Sequence, residues 1–235
     1  MKKFVQRIFN FKRKIVVTVL IRTSNRPNYF KTCIESVFQQ SYKSINIIVS
    51  YDDDKTYEYL KFHKGLKTIR VYPKKDNYPE KEIDRGKNLK KFPANLYFND
   101  LMKEVKRGFI IYLDDDNCFT NTNSIQTIVD NISGSDDLIF WRVQFPHDKL
   151  IPEDEYFGSP PVFWHIDSCG FSFHSKYNTN AQWDGWKGGD FVVASKLYET
   201  VPNKIYINKI LTSLQRTKGW GGFGDKTDKK ANDCQ

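Results

Sequence analysis

Short apolar runs alternate with helically spaced stripes along this chain. Residues 15–21 are apolar except for Thr18, and residues 45–51 and 109–113 are nearly unbroken apolar or aromatic runs. Runs of this length read as strands buried on both faces, as in a parallel sheet. Behind Pro27, a favourable first helical residue, Phe30, Cys33, Ile34, Val37 and Phe38 form one stripe of a helix. The same reading places a short helix over 57–63, a strand over 68–72, and a helix over 94–106 leading to the 109–113 strand. Beyond residue 121 it predicts a helix near 123–132 and a strand over 138–145, followed by a polar loop over 146–161. Strand-like runs then cover 162–166 and 170–174, a helix opens at Gly189-Asp190, and a strand lies near 204–210. Alternation of strand and helix implies right-handed crossovers. The expected fold class is α/β: a mostly parallel central sheet flanked by helices, with a smaller mixed region in the second half.

Charge adds detail at three places. The net charge is +9, yet Lys2, Lys3, Arg7, Lys12, Arg13 and Lys14 stand in a leader without acids. Residues 73–91 carry seven bases and four acids, which reads as a charged excursion, and the remainder is close to neutral. That distribution argues against a nucleic-acid partner. The leader, residues 1–14, interleaves its bases with Phe4, Val5, Ile8, Phe9 and Phe11. It fits peripheral contact with an anionic membrane surface, or a solvated leader; it is too short and charged to span a bilayer. Residues 15–218 read as one domain, and the Gly- and Lys-rich stretch 219–235 as a flexible tail. Cys33, Cys118, Cys169 and Cys234 show no C-x-x-C spacing, so reduced cysteines, a cytoplasmic protein and no structural zinc are expected.

The most informative stretch is the 109–113 run followed by Asp114-Asp115-Asp116-Asn117. Crowded carboxylates repel one another, and a cation or a metal–polyphosphate complex is a natural reason to gather them. For an isolated triplet a solvated acidic turn is the plainer reading. Here Arg22, Thr23, Ser24 and Arg26 follow the first strand, and Asp52, Asp53 and Asp54 follow the second. Three polar clusters thus meet at the carboxyl ends of parallel strands, where ligands of such sheets collect.

VVTVLIRTSNRPNYFKTCIESVFQQSYKSINIIVSYDD resembles the opening of family-2-type glycosyltransferases with the GT-A (Rossmann-like) fold, and FIIYLDDDN resembles their D-x-D strand. The resemblance covers residues 15–120 well and 160–200 more loosely. It implies a metal-dependent transferase moving a sugar from a nucleotide-diphosphate donor, UDP-linked for preference, to a hydroxyl of a glycan, lipid-linked or protein acceptor. Residues 15–120 would bind the nucleotide sugar and 121–218 the acceptor. By the same resemblance Asp52 meets the base, while Arg22, Thr23, Ser24 and Arg26 line the nucleoside pocket. Asp114 and Asp115 belong to the donor site, and Asp116 holds Mn²⁺ or Mg²⁺. The general base of an inverting reaction would be Asp190, with Asp167 as second choice; a helix N-cap is the structural alternative for Asp190. Trp183 and Trp186 are candidate acceptor contacts. The chain departs from the family pattern at Ser24, where an aromatic often stacks on uracil, and at Ala94-Asn95, where an Arg-Asn pair is common. Two other classes stay open: a sugar-nucleotidyltransferase, which would want a Gly-rich phosphate loop that residues 22–27 lack, and a non-catalytic carbohydrate- or membrane-binding module.

Overall fold

The computed structural model of the protein describes residues 14–72 and 90–215; nearly all of the basic leader and of the charged excursion, and the whole tail, lie outside them. The first half runs β1 (Val17–Arg22), α1 (Pro27–Phe38), β2 (Ile45–Tyr51), α2 (Asp54–Leu60), β3 (Lys67–Arg70), α3 (Leu96–Met102) and β4 (Phe109–Asp114). The second half runs β5 (Asn117–Phe119), α4 (Ser124–Asp130), β6 (Asp137–Gln144), β7 (Leu150–Ile151), β8 (Phe171–His174), α5 (Gly189–Thr200) and β9 (Asn203–Leu214).

One sheet joins the strands in the order β3-β2-β1-β4-β8-β6-β9-β5, with β7 paired to β6. The first four strands of that order are parallel, as their buried sequences require. β8 is antiparallel to both β4 and β6, whereas β9 returns parallel to β6, giving the expected mixed region. Alternation along β1 and β4 divides the core. Val17, Val19, Ile21, Ile111 and Leu113 pack with α1 and α4, while Leu20, Ile110 and Tyr112 pack with α3 and α5.

Two features of this sheet set up the site. Arg22 is the register partner of Asp114, both at carboxyl ends. Because β8 runs antiparallel to β4, pairing Ile111 with Ser172, its starting end also lies near Asp114. The segment 167–170 is therefore delivered to the same edge, while His174, at the other end of β8, pairs with Phe109 on the far edge.

Several expected elements shift. α2 begins earlier than 57–63 because the Asp53 side chain caps it, accepting from the Thr56 N–H at 2.7 Å. The helix expected over 94–106 is a 3₁₀ turn at Pro93–Asn95 followed by α3, which ends at Met102. The 162–166 run is not a strand: the His165 N–H donates to the Val162 carbonyl at 3.0 Å, and Trp164 adopts a left-handed φ of 72°. Cys33 and Cys169 are free and buried, and Cys234 lies outside the described residues. Among the described residues no helix is long and apolar enough to cross a membrane.

Candidate active site

At the end of β1, Arg22 is buried and holds Asp114 with two guanidinium nitrogens, Nη2 at 3.0 Å from Oδ2 and Nε in closer contact with Oδ1. A planar fork on a carboxylate fixes orientation as well as charge. A third nitrogen, Nη1, donates to Asn95 Oδ1 at 2.8 Å, and the guanidinium lies 4.6 Å from the Phe98 ring centroid. Asn95 is itself held: its Nδ2 donates to the Trp186 carbonyl at 2.7 Å. Asn95 sits one residue before α3 and links the end of β1 to the loop ahead of α5.

Asp115 points the other way. It is fully buried, and Arg26 grips it through Nε at 3.0 Å from Oδ2 and a closer contact from Nη2 to Oδ1. Thr23 Oγ1 adds a bond at 2.8 Å and is shared with the Tyr59 hydroxyl at 2.7 Å. Burial pushes the Asp115 carboxyl up, and Arg26 opposes that push. Asp115 and Thr23, expected at the donor, thus form a knot beneath the site and do not line its cavity. Ser24 lies in the same loop, half-buried.

A cavity of about 580 Å³ opens over this edge. Its wall includes Arg22, Arg26, Asp114, Asp116, Asp167 and Asp190, with Lys90, Lys91, Lys149 and Lys187 adding positive charge. Asp116 is buried in the wall, with Arg26 Nη1 at 3.3 Å from Oδ2. Asp167 caps the 3₁₀ turn Ser168–Gly170, accepting from the Cys169 N–H at 3.0 Å. Ser168 Oγ lies 3.4 Å from both Asp114 Oδ2 and Asp167 Oδ1 and bridges them. Burial raises the Asp167 carboxyl, the Cys169 hydrogen bonds oppose this, and the charges of Asp114 and Asp116 add to the rise.

Asp190 enters from α5. Gly188, at φ 79°, is the N-cap of that helix, so Asp190 lies inside the first turn and does not cap it. Its Oδ1 accepts from the Phe191 N–H at 2.9 Å. Burial, then the neighbouring Asp167 charge, lifts its carboxyl to about 7. The preceding glycines let the helix approach this closely. A Cβ on Gly189 would stand 2.4 Å from Asn95 Nδ2 and 2.9 Å from Trp183 Cε3.

The remaining sequence candidates fall in different places. Asp52 follows β2 and does not line the cavity; it accepts from the Tyr97 hydroxyl at 3.1 Å, and its Oδ1 is buried without a hydrogen-bond partner among the described residues. Trp183 is a core residue packed on Phe98 and Tyr112, and one edge reaches the cavity. Trp186 does not line the cavity; it sits against Lys91, whose Nζ is 5.9 Å from its ring. Sequence reading did not assign Asn95 or Ser168 to the site. Asn95 directly precedes a helix and Ser168 follows Asp167, but the partners that bring them into the site, Arg22 and Asp114, are far away in the chain.

The donor set facing the cavity is hard oxygen, from Asp114 and Asp116. Among the described residues no three His, Cys, Asp or Glu side chains converge as a cage. That combination fits Mg²⁺ or Mn²⁺, which is bound by one or two carboxylates and completes its shell with substrate phosphate and water.

The fold resembles solved structures over most of the chain. The S. aureus TarS fragment 1–349 in complex with UDP-GlcNAc is 15% identical, with a TM-score of 0.65 over 89% of this chain and 60% of that one. Its complex with UDP is 14% identical, with a TM-score of 0.63 over 85% and 60%. The mannosyltransferase PcManGT from Pyrobaculum calidifontis, in complex with GDP-Man and Mn²⁺, is 13% identical, with a TM-score of 0.62 over 88% and 59%. The chain thus spans about three-fifths of the length of each. No curated protein matches it. The profile of Glycosyl transferase family 2 matches residues 18–199, from the first core strand to the helix carrying Asp190. A match of that extent, on a sheet with the GT-A architecture, means that the chain belongs to glycosyl transferase family 2.

Proposed function

We propose that the protein transfers a sugar from a UDP-linked donor to an acceptor hydroxyl of a glycan, lipid-linked or protein substrate, with inversion and with Asp190 as general base. The observation that carries this reading is Asp190 itself. A carboxyl lifted to about 7 shares one cavity with the Arg22–Asp114 pair and Asp116. A base titrating near neutrality combines availability of its charged form with proton-taking power. TarS with UDP-GlcNAc and PcManGT with GDP-Man have the same fold and support a nucleotide-sugar donor.

In this reading Asp52, whose Oδ1 has no hydrogen-bond partner among the described residues, accepts an N–H of the nucleobase. Asp114, locked by Arg22 and Ser168, orients the donor hydroxyls. Asp116 and Asp114 would hold Mg²⁺ or Mn²⁺, which would supply positive charge against that developing on the departing diphosphate. Arg22, Arg26 and the lysines of the wall add fixed positive charge. Asp190 takes the acceptor proton as its oxygen bonds to the anomeric carbon and the bond to the diphosphate breaks. Such base catalysis is worth about 10²–10⁴ in rate.

A thermal-shift panel of UDP, GDP, dTDP and CMP, each with Mn²⁺, Mg²⁺ or EDTA, tests the donor side on wild type and Asp116→Ala. Ligand at about 100 times its Kd adds roughly 2.7 kcal/mol of stability. The expected result is metal-dependent stabilisation by UDP that the variant loses. Stabilisation by none of the four would argue for a non-catalytic module.

A further inference from the structure

We propose that Trp164 is the acceptor platform of this enzyme, its ring stacking on a pyranose of the acceptor in the cavity that Asp190 also lines; the inference rests on the transferase reading above and names the acceptor class, a saccharide. Trp164 is a large aromatic that is 42% exposed and lies in the cavity wall. Its backbone is left-handed, with φ 72°. A bulky residue rarely adopts that conformation, and where one does, the surroundings must hold it there. Neither burial nor backbone preference explains the residue.

The surroundings do hold it. On one side Phe163 lies against the Gly188 backbone, where a Cβ would meet its ring at 2.3 Å, and its ring centroid is 5.6 Å from that of Phe191. Phe163 thereby ties the segment to the first turn of α5, which carries Asp190. On the other side His165 contacts Glu153 and packs its ring, tilted, on Tyr156 with centroids 3.9 Å apart, and Ile166 is buried. Flanking residues pinned on both sides fix a strained aromatic in the cavity wall. An indole gives large, rigid contact area at little entropic cost, and the cavity's carboxylates supply polar partners for hydroxyls. The Phe163 ring packs on it at 4.5 Å, and Lys187, a flexible side chain whose Nζ lies over the ring at 5.0 Å, is what a stacked sugar would displace.

A donor base is the other flat ligand that could stack there. The lining of the cavity separates the two: Trp164 and Asp190 both line it, whereas Asp52, the base contact of the transferase reading, follows β2 and does not.

Fluorine NMR of fluorotryptophan-labelled full-length protein provides the test, with UDP and Mg²⁺ present and cellobiose, maltose and chitobiose as probes. The Trp164 resonance is assigned by its loss in Trp164→Phe. It should move with at least one disaccharide, and Trp164→Ala should weaken that binding about five- to a hundredfold, the worth of one ring stack. Trp164→Phe should weaken it less. Thermal stabilisation by UDP, measured alongside, should persist in Trp164→Ala. An unmoved resonance with all three sugars, equal disaccharide affinity in Trp164→Ala, or loss of the UDP effect in that variant would overturn the proposal. A wild type that ignores UDP while its Trp164 resonance still follows a disaccharide would sink the transferase reading and keep the saccharide platform.

Discussion

Replacing Asp190 with Asn should abolish transfer and at the same time make the protein more stable at neutral and alkaline pH. A carboxyl that titrates near 7 when folded and near 3.8 as a free side chain binds protons more tightly in the native state. Between those values stability therefore falls as pH rises, and the full deficit is present above about 7. At about 1.36 kcal/mol for each tenfold difference in proton affinity, the ceiling is roughly 4 kcal/mol. Asp190 is only half-buried, and water reaching it reduces that to about 1–3 kcal/mol. Asn has nearly the same shape and still accepts from the Phe191 N–H, so packing changes little. For a chain of this size the gain corresponds to a Tm higher by roughly 2–12 °C at about pH 8. By about pH 5 the folded wild-type carboxyl is mostly protonated, and the advantage of Asn should drop below half. Thermal unfolding of both proteins from pH 5 to 8, with nucleotide-sugar turnover measured alongside, reads out both effects. An Asn variant no more stable than wild type at the alkaline end, or a gap that does not change with pH, would refute the assignment of a charge-burying base at this position. Unimpaired transfer would move the role to Asp167.

Two further outcomes follow from the same neighbourhood. Asp167→Asn should keep transfer but shift the acidic limb of the pH–rate profile to lower pH, because the Asp167 charge is the second cause of the raised Asp190 carboxyl; an unmoved limb would separate the two groups. Gly189→Ala should destabilise by about 1–3 kcal/mol, since the new methyl would press on Asn95 and Trp183 at 2.4 and 2.9 Å. The displaced Asn95 would also loosen Arg22, so turnover should fall further than the folded fraction in a parallel unfolding curve accounts for.

What the sequence made legible follows from what hydrophobic periodicity reports. It tells which faces are buried, so β2 and α1 begin where their apolar patterns begin, and the parallel order of the front strands follows from strand–helix alternation. It says little about a segment whose conformation is set by distant contacts. The 162–166 run has strand composition, yet Phe163 on Gly188 and His165 on Glu153 draw it into a turn. The Asp triplet shows the same division within three residues. β4 ends at Asp114, and Asp115 and Asp116 lie in the turn that follows; Asp114 and Asp116 reach the cavity, while Asp115 turns to Arg26 beneath it. The sequence reading placed all three at the donor. What meets Asp115 was not legible, because Arg26 lies 89 residues away and reads locally as one more base in a nucleotide-binding loop. Burying a lone carboxylate is costly and burying it against a bidentate guanidinium far less so. The central acid of the triplet is thus best understood as the anchor of the β1–α1 loop. Its two neighbours owe their fixed positions to that anchor and to Arg22, and it is this rigidity that lets a short acidic run serve as a site.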